Sequence, residues 1–381
     1  MIKYLTCTIA VLFLSLCANG ENRDTTKVKE RKYVKYLDLR FENGLMLDNG
    51  TKEAAEMIRN SYYNGIDLRL GFRNIQTNNI YSNVYRRPYI GVGFYSSTFH
   101  NRDIGKPNAV YFFITVPFTF EQNKRFSFSY SGAFGLSFNF NPYDSISNPT
   151  NLFIGSEQNC YFHFGIAAGY RINDRLTMNF TSGIKHFSNG SFKKPNKGLN
   201  LIPFTLGVSY KLNKEEIPQI CHEIPEFIPH NVWLFSVAVG SKHYEIDDTR
   251  NYLKMTYSFI YLRQTNYKYR FGGGIDLFYS AHPEARILIS GTEIDNSFSA
   301  ALTCDFEWAI NENLSVPIGF GFYLKRNETN EEVEPYYERT GMKYRFNNNL
   351  FAAVTIKAHG GKADYFEWTI GYALQKDRNR Y

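Results

Sequence analysis

Residues 126–140 read FSFSYSGAFGLSFNF and alternate between two kinds of side chain. The even positions are Phe, Tyr or Leu except for Gly132, and the odd positions are Ser, Ala, Gly or Asn. A period of two over such a length predicts a β-strand and not a helix. The strand is long, aromatic on one side and small or polar on the other, which is typical of a transmembrane barrel strand between lipid and lumen. A long strand of a soluble β-sandwich is the alternative.

The same alternation recurs along the chain, for example in residues 316–324 and 366–374. Between turn signals such as Asn173-Asp174, we count about eight strands in residues 33–212 and about eight more in residues 231–376. An even number of strands fits an outer-membrane barrel, whose closure pairs every backbone group. The sequence therefore predicts an all-β, antiparallel transmembrane outer-membrane β-barrel protein of about 16 strands.

The two halves resemble each other. Residues 90–95 have a counterpart in residues 271–279, and residues 170–176 match residues 344–350. We interpret the similarity as duplication of an eight-stranded unit. The pattern leaves open whether the units close separately, as two small barrels, or together as one large barrel.

Composition and the N-terminus bear on export and partners. Lys3, the apolar stretch from Ile9 to Leu16, and Ala18-Asn19-Gly20 indicate a signal peptide over residues 1–20. The apolar content of 43% excludes a disordered chain, and the mean hydropathy of −0.38 with no later apolar run excludes helical membrane spans. The net charge of +7 suits an anionic surface and is too diffuse to imply nucleic acid.

These features divide the chain into four parts. After the signal peptide, residues 21–212 form a first barrel unit and residues 231–381 a second. Residues 213–230 between them are polar and proline-rich, and they are interpreted as a linker or a plug. The first unit alone contains a constellation of residues that suggests chemistry.

That constellation flanks the loop between two strands of the first unit. His186 and Ser188 continue the apolar, lipid-facing side of one strand, and Asn200 lies on the corresponding side of the next. If the strands pair as a hairpin, the three side chains converge on the outside of the barrel. A hydroxyl, an imidazole and a third polar group predict an activated serine nucleophile. Alternatively, these residues lie above the membrane, where polar side chains cost nothing.

The motif around these residues resembles that of a known family. Residues 186–189 read HFSN and residues 194–198 read KPNKG, which is similar to the signature of the lipid A 3-O-deacylases of the acyloxyacyl hydrolase type. These are outer-membrane esterases of eight strands, and the resemblance covers roughly residues 33–212. It implies a catalytic triad whose members fall on His186, Ser188 and Asn200. The family has Glu at the third position, so Asn200 is a departure from its pattern.

The resemblance also implies the partners of the reaction. The family's supporting asparagines fall on Asn189 and Asn196, which we expect to stabilise an oxyanion. The implied activity is removal of an ester-linked acyl chain from lipid A, or a similar glycolipid, in the outer leaflet. This chemistry requires no metal and no organic cofactor.

Four lysines lie close to the predicted site. The strand that carries His186 is the seventh in our count, so its loop faces the cell exterior. We expect lysines at headgroup height to attract the phosphates of lipid A, although a solvated basic loop is the alternative. They are Lys185, Lys193, Lys194 and Lys197.

The second unit has no comparable motif, and we expect it to be structural or to shape the substrate site. The rival to the whole interpretation is a non-enzymatic pore or structural outer-membrane barrel. Small and polar odd-numbered residues from Ser127 to Asn139 would suit the watery lumen of such a pore.

Overall fold

The computed structural model describes residues 32–48, 52–119, 125–218, 224–244, 246, 250–281, 297–327, 331–332 and 334–375. The expected signal peptide lies outside these residues. The first eight strands are β1 (Tyr33–Leu47), β2 (Asn64–Asn74), β3 (Tyr89–Thr98), β4 (Gly105–Pro117), β5 (Phe126–Phe140), β6 (Asn159–Arg171), β7 (Leu176–Ser188) and β8 (Leu199–Lys211). The second eight are β9 (His230–Lys242), β10 (Tyr252–Gln264), β11 (Tyr269–Ser280), β12 (Phe298–Ala309), β13 (Leu314–Lys325), β14 (Tyr336–Arg345), β15 (Leu350–His359) and β16 (Lys362–Gln375).

The sixteen strands form two closed barrels, one from β1–β8 and one from β9–β16. Barrel 1 closes by antiparallel pairing of β1 with β8, and barrel 2 by pairing of β16 with β9. The prediction of an all-β barrel protein with about 16 strands is confirmed, and the open alternative is decided in favour of two small barrels. The two pairs of similar segments fall at equivalent places: the third strand of each barrel, and the turn between its sixth and seventh strands.

Two short helices connect strands of barrel 1. Helix α1 (Lys52–Arg59) lies between β1 and β2, and helix α2 (Ile80–Val84) lies between β2 and β3. The Asn79 side chain caps α2 by accepting a hydrogen bond from the Ser82 N–H. In the described ranges, no helix has the length and apolar character that crossing a membrane requires.

The barrels are apolar outside and polar inside, the reverse of a soluble protein. In β5, Phe126 is 63% exposed, whereas Ser131 of the opposite face is 2% exposed. The alternation in the sequence therefore separates a lipid-facing side from a lumen-facing side, as predicted. The outward-facing side chains of the other strands are apolar in the same way.

Glu42 links several polar residues inside barrel 1 through hydrogen bonds and an ion pair. The Glu42 carboxylate accepts hydrogen bonds from the Tyr95 hydroxyl at 2.9 Å and the Thr205 hydroxyl at 3.0 Å. It also forms an ion pair with Lys185, whose ammonium lies 3.6 Å from the centroid of the Tyr95 ring. Lys185 is 1% exposed. The prediction that Lys185 contacts lipid phosphates is wrong, because it alternates with His186 and points into the lumen.

Large aromatic side chains fill the lumen of barrel 1, in the space that small residues of the wall leave open. A Cβ at Gly93 would overlap the ring of Tyr111, so the glycine makes room for that ring. Tyr111 in turn stacks on Tyr161 with ring centroids 4.8 Å apart, and both side chains are fully buried. Four of the small odd-numbered residues of β5 are buried in this packed lumen, namely Ser129, Ser131, Ala133 and Ser137. The expectation of a watery lumen, on which the pore alternative depended, is wrong for this barrel.

The two barrels contact each other at both ends. At one end, the Tyr85 hydroxyl accepts a hydrogen bond from Trp308 Nε1 at 2.7 Å and donates one to the Ala309 carbonyl. At the other end, the β7–β8 loop of barrel 1 contacts residues of barrel 2, including Ala363 of β16. We call this second end, where the β7–β8 loop lies, the loop end.

Candidate active site

The β7–β8 hairpin brings together the three residues that the sequence singled out. His186 is directly opposite Asn200 in the register of the hairpin. His186 Nε2 lies 2.8 Å from Ser188 Oγ, and His186 Nδ1 lies 2.6 Å from Asn200 Oδ1. The side chains thus form one hydrogen-bonded chain from hydroxyl to imidazole to amide.

The acceptor at one end of this chain determines where the protons lie. An amide oxygen can only accept a hydrogen bond, so Asn200 Oδ1 requires the imidazole proton to be on Nδ1. Nε2 is then unprotonated and accepts the hydrogen bond from the Ser188 hydroxyl. A serine whose hydroxyl donates to an unprotonated imidazole nitrogen is arranged for nucleophilic attack.

The site lies on the outer wall of barrel 1, at its loop end. Ser188 is 3% exposed, and His186 and Asn200 are half-buried. Phe162, the cross-strand neighbour of His186, is 45% exposed, and Ile184 is 54% exposed. The hydrogen-bonded chain therefore lies directly above an apolar wall.

The Asn189 side chain is occupied in holding the loop together. Its amide nitrogen donates to Ser156 Oγ and to the Lys193 carbonyl, both at 2.8 Å. Its backbone N–H donates to Asn196 Oδ1 at 3.0 Å. The expectation that Asn189 donates to an oxyanion does not fit this geometry, because its donors already have partners.

Asn196 has a free donor. Its Oδ1 accepts from the Asn189 backbone, which orients the amide. Its Nδ2 is buried and has no hydrogen-bond partner among the residues that the structure describes. An unpaired buried donor is costly, so its presence in the loop that follows Ser188 suggests a ligand-binding role.

The β5–β6 loop, residues 141–158, supports the site from one side. The Phe153 carbonyl accepts a hydrogen bond from the Gly198 N–H at 3.0 Å, and Ser156 binds Asn189 as described above. Asn151, which is fully buried, shapes this loop by donating to the Asp103 and Asn141 carbonyls. Phe153 and Ser156 lie 45 and 33 positions before the residues that they contact, so local sequence patterns contain no signal for these contacts.

Sequence comparisons identify the family. Residues 65–209 match the model of the lipid A 3-O-deacylase (PagL) family, and residues 231–376 match that of the acyloxyacyl hydrolase C-terminal domain. Barrel 1 belongs to the PagL family, and barrel 2 to the family of acyloxyacyl hydrolase C-terminal domains. The two matches together cover most of the chain, and the resemblance seen in the sequence is confirmed. This family membership and the apolar barrel exteriors identify an outer-membrane protein related to acyl-removing hydrolases.

Other comparisons add little. No curated protein matches the sequence. Among solved structures, an outer-membrane channel of Pseudomonas putida F1 has 9% identity over 94% of this chain and 100% of that chain, with a TM-score of 0.21. OccK5 (OpdH) of Pseudomonas aeruginosa has 7% identity over 91% of this chain and 98% of that chain, also at 0.21. Similarities at such scores carry no argument about function.

The lysines of the PagL-family loop differ in their surroundings. Lys193 and Lys197 are exposed. The Lys194 ammonium lies 3.0 Å from the Glu331 carboxylate, in the β13–β14 loop of barrel 2. Lys193 and Lys197 thus remain as the exposed lysines of the loop. In the described part of the chain, no group of three or more His, Cys, Asp or Glu residues is placed to hold a metal.

Gly198 leaves space for the imidazole, a role that the sequence did not reveal although the residue lies in the motif. A Cβ at this position would lie 2.6 Å from His186 Cε1, and the residue has a φ of +74°.

We expect Gly198→Ala to displace the imidazole and to lower hydrolytic activity on the order of 100-fold while the barrel still assembles. The measurement is hydrolysis of lipid A by the purified protein. Gly132→Ala is the control, since a Cβ there meets no atom within 4 Å; equal activity of both variants would contradict the role of Gly198.

Proposed function

We propose that this protein is a serine esterase that removes an ester-linked acyl chain from lipid A or a similar glycolipid. The observation that carries the proposal is the hydrogen-bonded chain from Ser188 through His186 to Asn200, on the lipid-facing wall of barrel 1. A polar constellation in this position is costly unless it is used. An acyl chain in the outer leaflet would lie along the apolar wall below, with its ester at the height of the serine.

The reaction begins with attack by Ser188. Its Oγ forms a bond to the acyl carbonyl carbon while His186 Nε2 takes the hydroxyl proton. The tetrahedral intermediate collapses, the bond from the carbonyl carbon to the sugar oxygen breaks, and His186 returns the proton to that oxygen. Water then attacks the acyl-enzyme with His186 again as base, which releases the fatty acid and restores Ser188. The chemistry requires no metal or organic cofactor.

Asn196 is the proposed oxyanion donor, because its Nδ2 is free and its orientation is fixed. We expect Asn196→Asp to lower kcat on the order of 10²- to 10³-fold, since it removes the donor and keeps an oxygen for the Asn189 N–H. Hydrolysis by the purified variant measures the effect. Ser147→Ala, a change in the exposed β5–β6 loop, is the control. An Asn196→Asp protein with wild-type kcat would show that another group stabilises the oxyanion.

The proposed substrate also has phosphate groups. Lys193 and Lys197 are exposed at the loop end, where the headgroups of an outer-leaflet glycolipid would lie. We propose that these two lysines attract the phosphates of lipid A.

For the chain as a whole, we propose export by a signal peptide over residues 1–20, a deacylase unit over 21–212, a linker over 213–230 and a second unit over 231–381.

The direct test is mass spectrometry of lipid A from cells with and without the gene. Loss of one ester-linked acyl chain only when the gene is present is the expected result.

Conductance of the purified protein in planar bilayers tests the rival function. Steady, porin-like steps together with unchanged lipid A would favour the pore. The packed lumen of barrel 1 supports the esterase over that rival.

A further inference from the structure

The β7–β8 loop of barrel 1 is held against barrel 2 by two hydrogen bonds of Ser191, one from its side chain and one to its backbone carbonyl. The Ser191 hydroxyl donates a hydrogen bond to the Ala363 carbonyl of β16 at 2.7 Å. The Ser191 carbonyl accepts one from the N–H of His243, the residue after β9, at 3.1 Å. Ser191 is 7% exposed and has a φ of +61°, in the left-handed region that a serine adopts only when its surroundings hold it there.

A second set of contacts holds the loop at Lys194. Its backbone N–H donates to His243 Nδ1 at 3.2 Å, and its ammonium lies 3.0 Å from Glu331 Oε1. Glu331 Oε2 lies 3.0 Å from the ammonium of Lys242 in β9. Lys242 also pairs with the buried Asp364 of β16. One carboxylate thus bridges the loop of barrel 1 to the wall of barrel 2.

The charge on this carboxylate is maintained at neutral pH. Burial of Glu331 favours its neutral form, but Lys242 and Lys194 outweigh that effect and hold the pKa of the carboxyl below its usual range. A carboxyl with a lowered pKa is ionised at neutral pH and loses its charge only as the pH falls through that value. The bridge is therefore an ion pair under the conditions in which an outer-membrane protein works.

The fastened segment lies between two residues of the proposed mechanism. Ser188 is three positions before Ser191, and Asn196 is two positions after Lys194. At Gly190, between Ser188 and Ser191, a Cβ would overlap the ring of Phe366 in barrel 2, so the two barrels are in close contact there. A displacement of this segment by about 1 Å would alter the geometry of nucleophile and oxyanion donor together.

We propose that barrel 2 positions the β7–β8 loop for catalysis, with Glu331 and Ser191 as positioning residues. The proposal rests on the esterase function proposed above. It gives barrel 2, which has no catalytic motif of its own, a defined role. It also gives Lys194 a role as the partner of Glu331 and not as a ligand of substrate phosphate.

The test compares Lys194→Met, Glu331→Gln and the double variant in the purified full-length protein, with lipid A as substrate. We expect each single change to lower kcat about tenfold with little change in KM. The double variant should be no worse than either single variant, because all three lose the same ion pair. Lys194→Arg should recover most of the activity, since it keeps the charge. Glu334→Gln is the matched control, as Glu334 lies in the same loop and has no ion pair with the described residues.

Hydrogen–deuterium exchange gives a readout that does not depend on activity. Exchange at the amides of residues 192–194 should increase in Glu331→Gln, while exchange in β6 and β7 stays at the wild-type level. Wild-type exchange at 192–194 in this variant, or a kcat equal to wild type, would overturn the positioning role alone. A lower KM in Glu331→Gln would also overturn it, because it would show that freed Lys194 binds the substrate phosphate. Absence of Ser188-dependent hydrolysis in the wild-type protein would instead overturn the proposed function.

Discussion

Replacement of Ser188 by alanine is expected to abolish deacylation while barrel 1 assembles normally. The change removes one hydroxyl from an outward-facing position, and among the residues that the structure describes this hydroxyl hydrogen-bonds only to His186 Nε2. No other described hydroxyl hydrogen-bonds to His186 Nε2, so the loss should be on the order of 10⁴-fold or more. The measurement is mass spectrometry of lipid A from cells that produce each form at equal levels.

His186→Ala is expected to lose as much activity as Ser188→Ala, because a nucleophile and its base act as a unit. The double variant should therefore be no worse than either single variant. Assembly is checked by the change in gel mobility on boiling that closed barrels often show. A correctly assembled Ser188→Ala protein that still processed lipid A would rule out this site.

Replacement of Asn200 by alanine has the second-largest expected effect. Asn200 Oδ1 is the acceptor that keeps the imidazole proton on Nδ1. Without it, the proton can reside on Nε2, which then cannot accept the proton of Ser188. Loss of the correct tautomer costs on the order of 10⁴-fold in a serine protease triad. We expect Asn200→Ala to lose between about 10²- and 10⁴-fold; wild-type rates would mean that the triad does not include this residue.

Asn200→Glu introduces the residue that the family resemblance implies at this position. A carboxylate accepts the same hydrogen bond and also stabilises the imidazolium that forms during attack, so activity should be retained or raised. The same charge stabilises protonated imidazole, which is not a base. The variant should therefore lose activity at a higher pH than the wild type as the medium is acidified. Asn200→Gln has the same side-chain length as Asn200→Glu but no charge, so comparing the two variants separates the effect of length from the effect of charge.

The sequence alone determined the fold class and the face on which the site lies. A period of two is a property of the strand itself, so the alternation in residues 126–140 was enough to separate a lipid side from a lumen side. The same alternation placed His186, Ser188 and Asn200 on one outer face, and the structure brings them within hydrogen-bond distance. Because Lys185 directly precedes His186 in the same strand, this alternation also predicts that Lys185 points into the lumen.

Only the tertiary structure decided how many barrels form and what surrounds the site. Closure depends on which strand pairs with β1, and β8 is separated from it by more than 150 residues. The partners of Asn189 and the bridge from Lys194 to Glu331 likewise join segments that are distant in the chain. The local period of two determines which way a side chain points. It does not determine which distant loop lies against that side chain, because this depends on how the two barrels close. For this reason the sequence predicted the residues of the proposed triad, while the contacts of the β7–β8 loop with the β5–β6 loop and with barrel 2 were visible only in the structure.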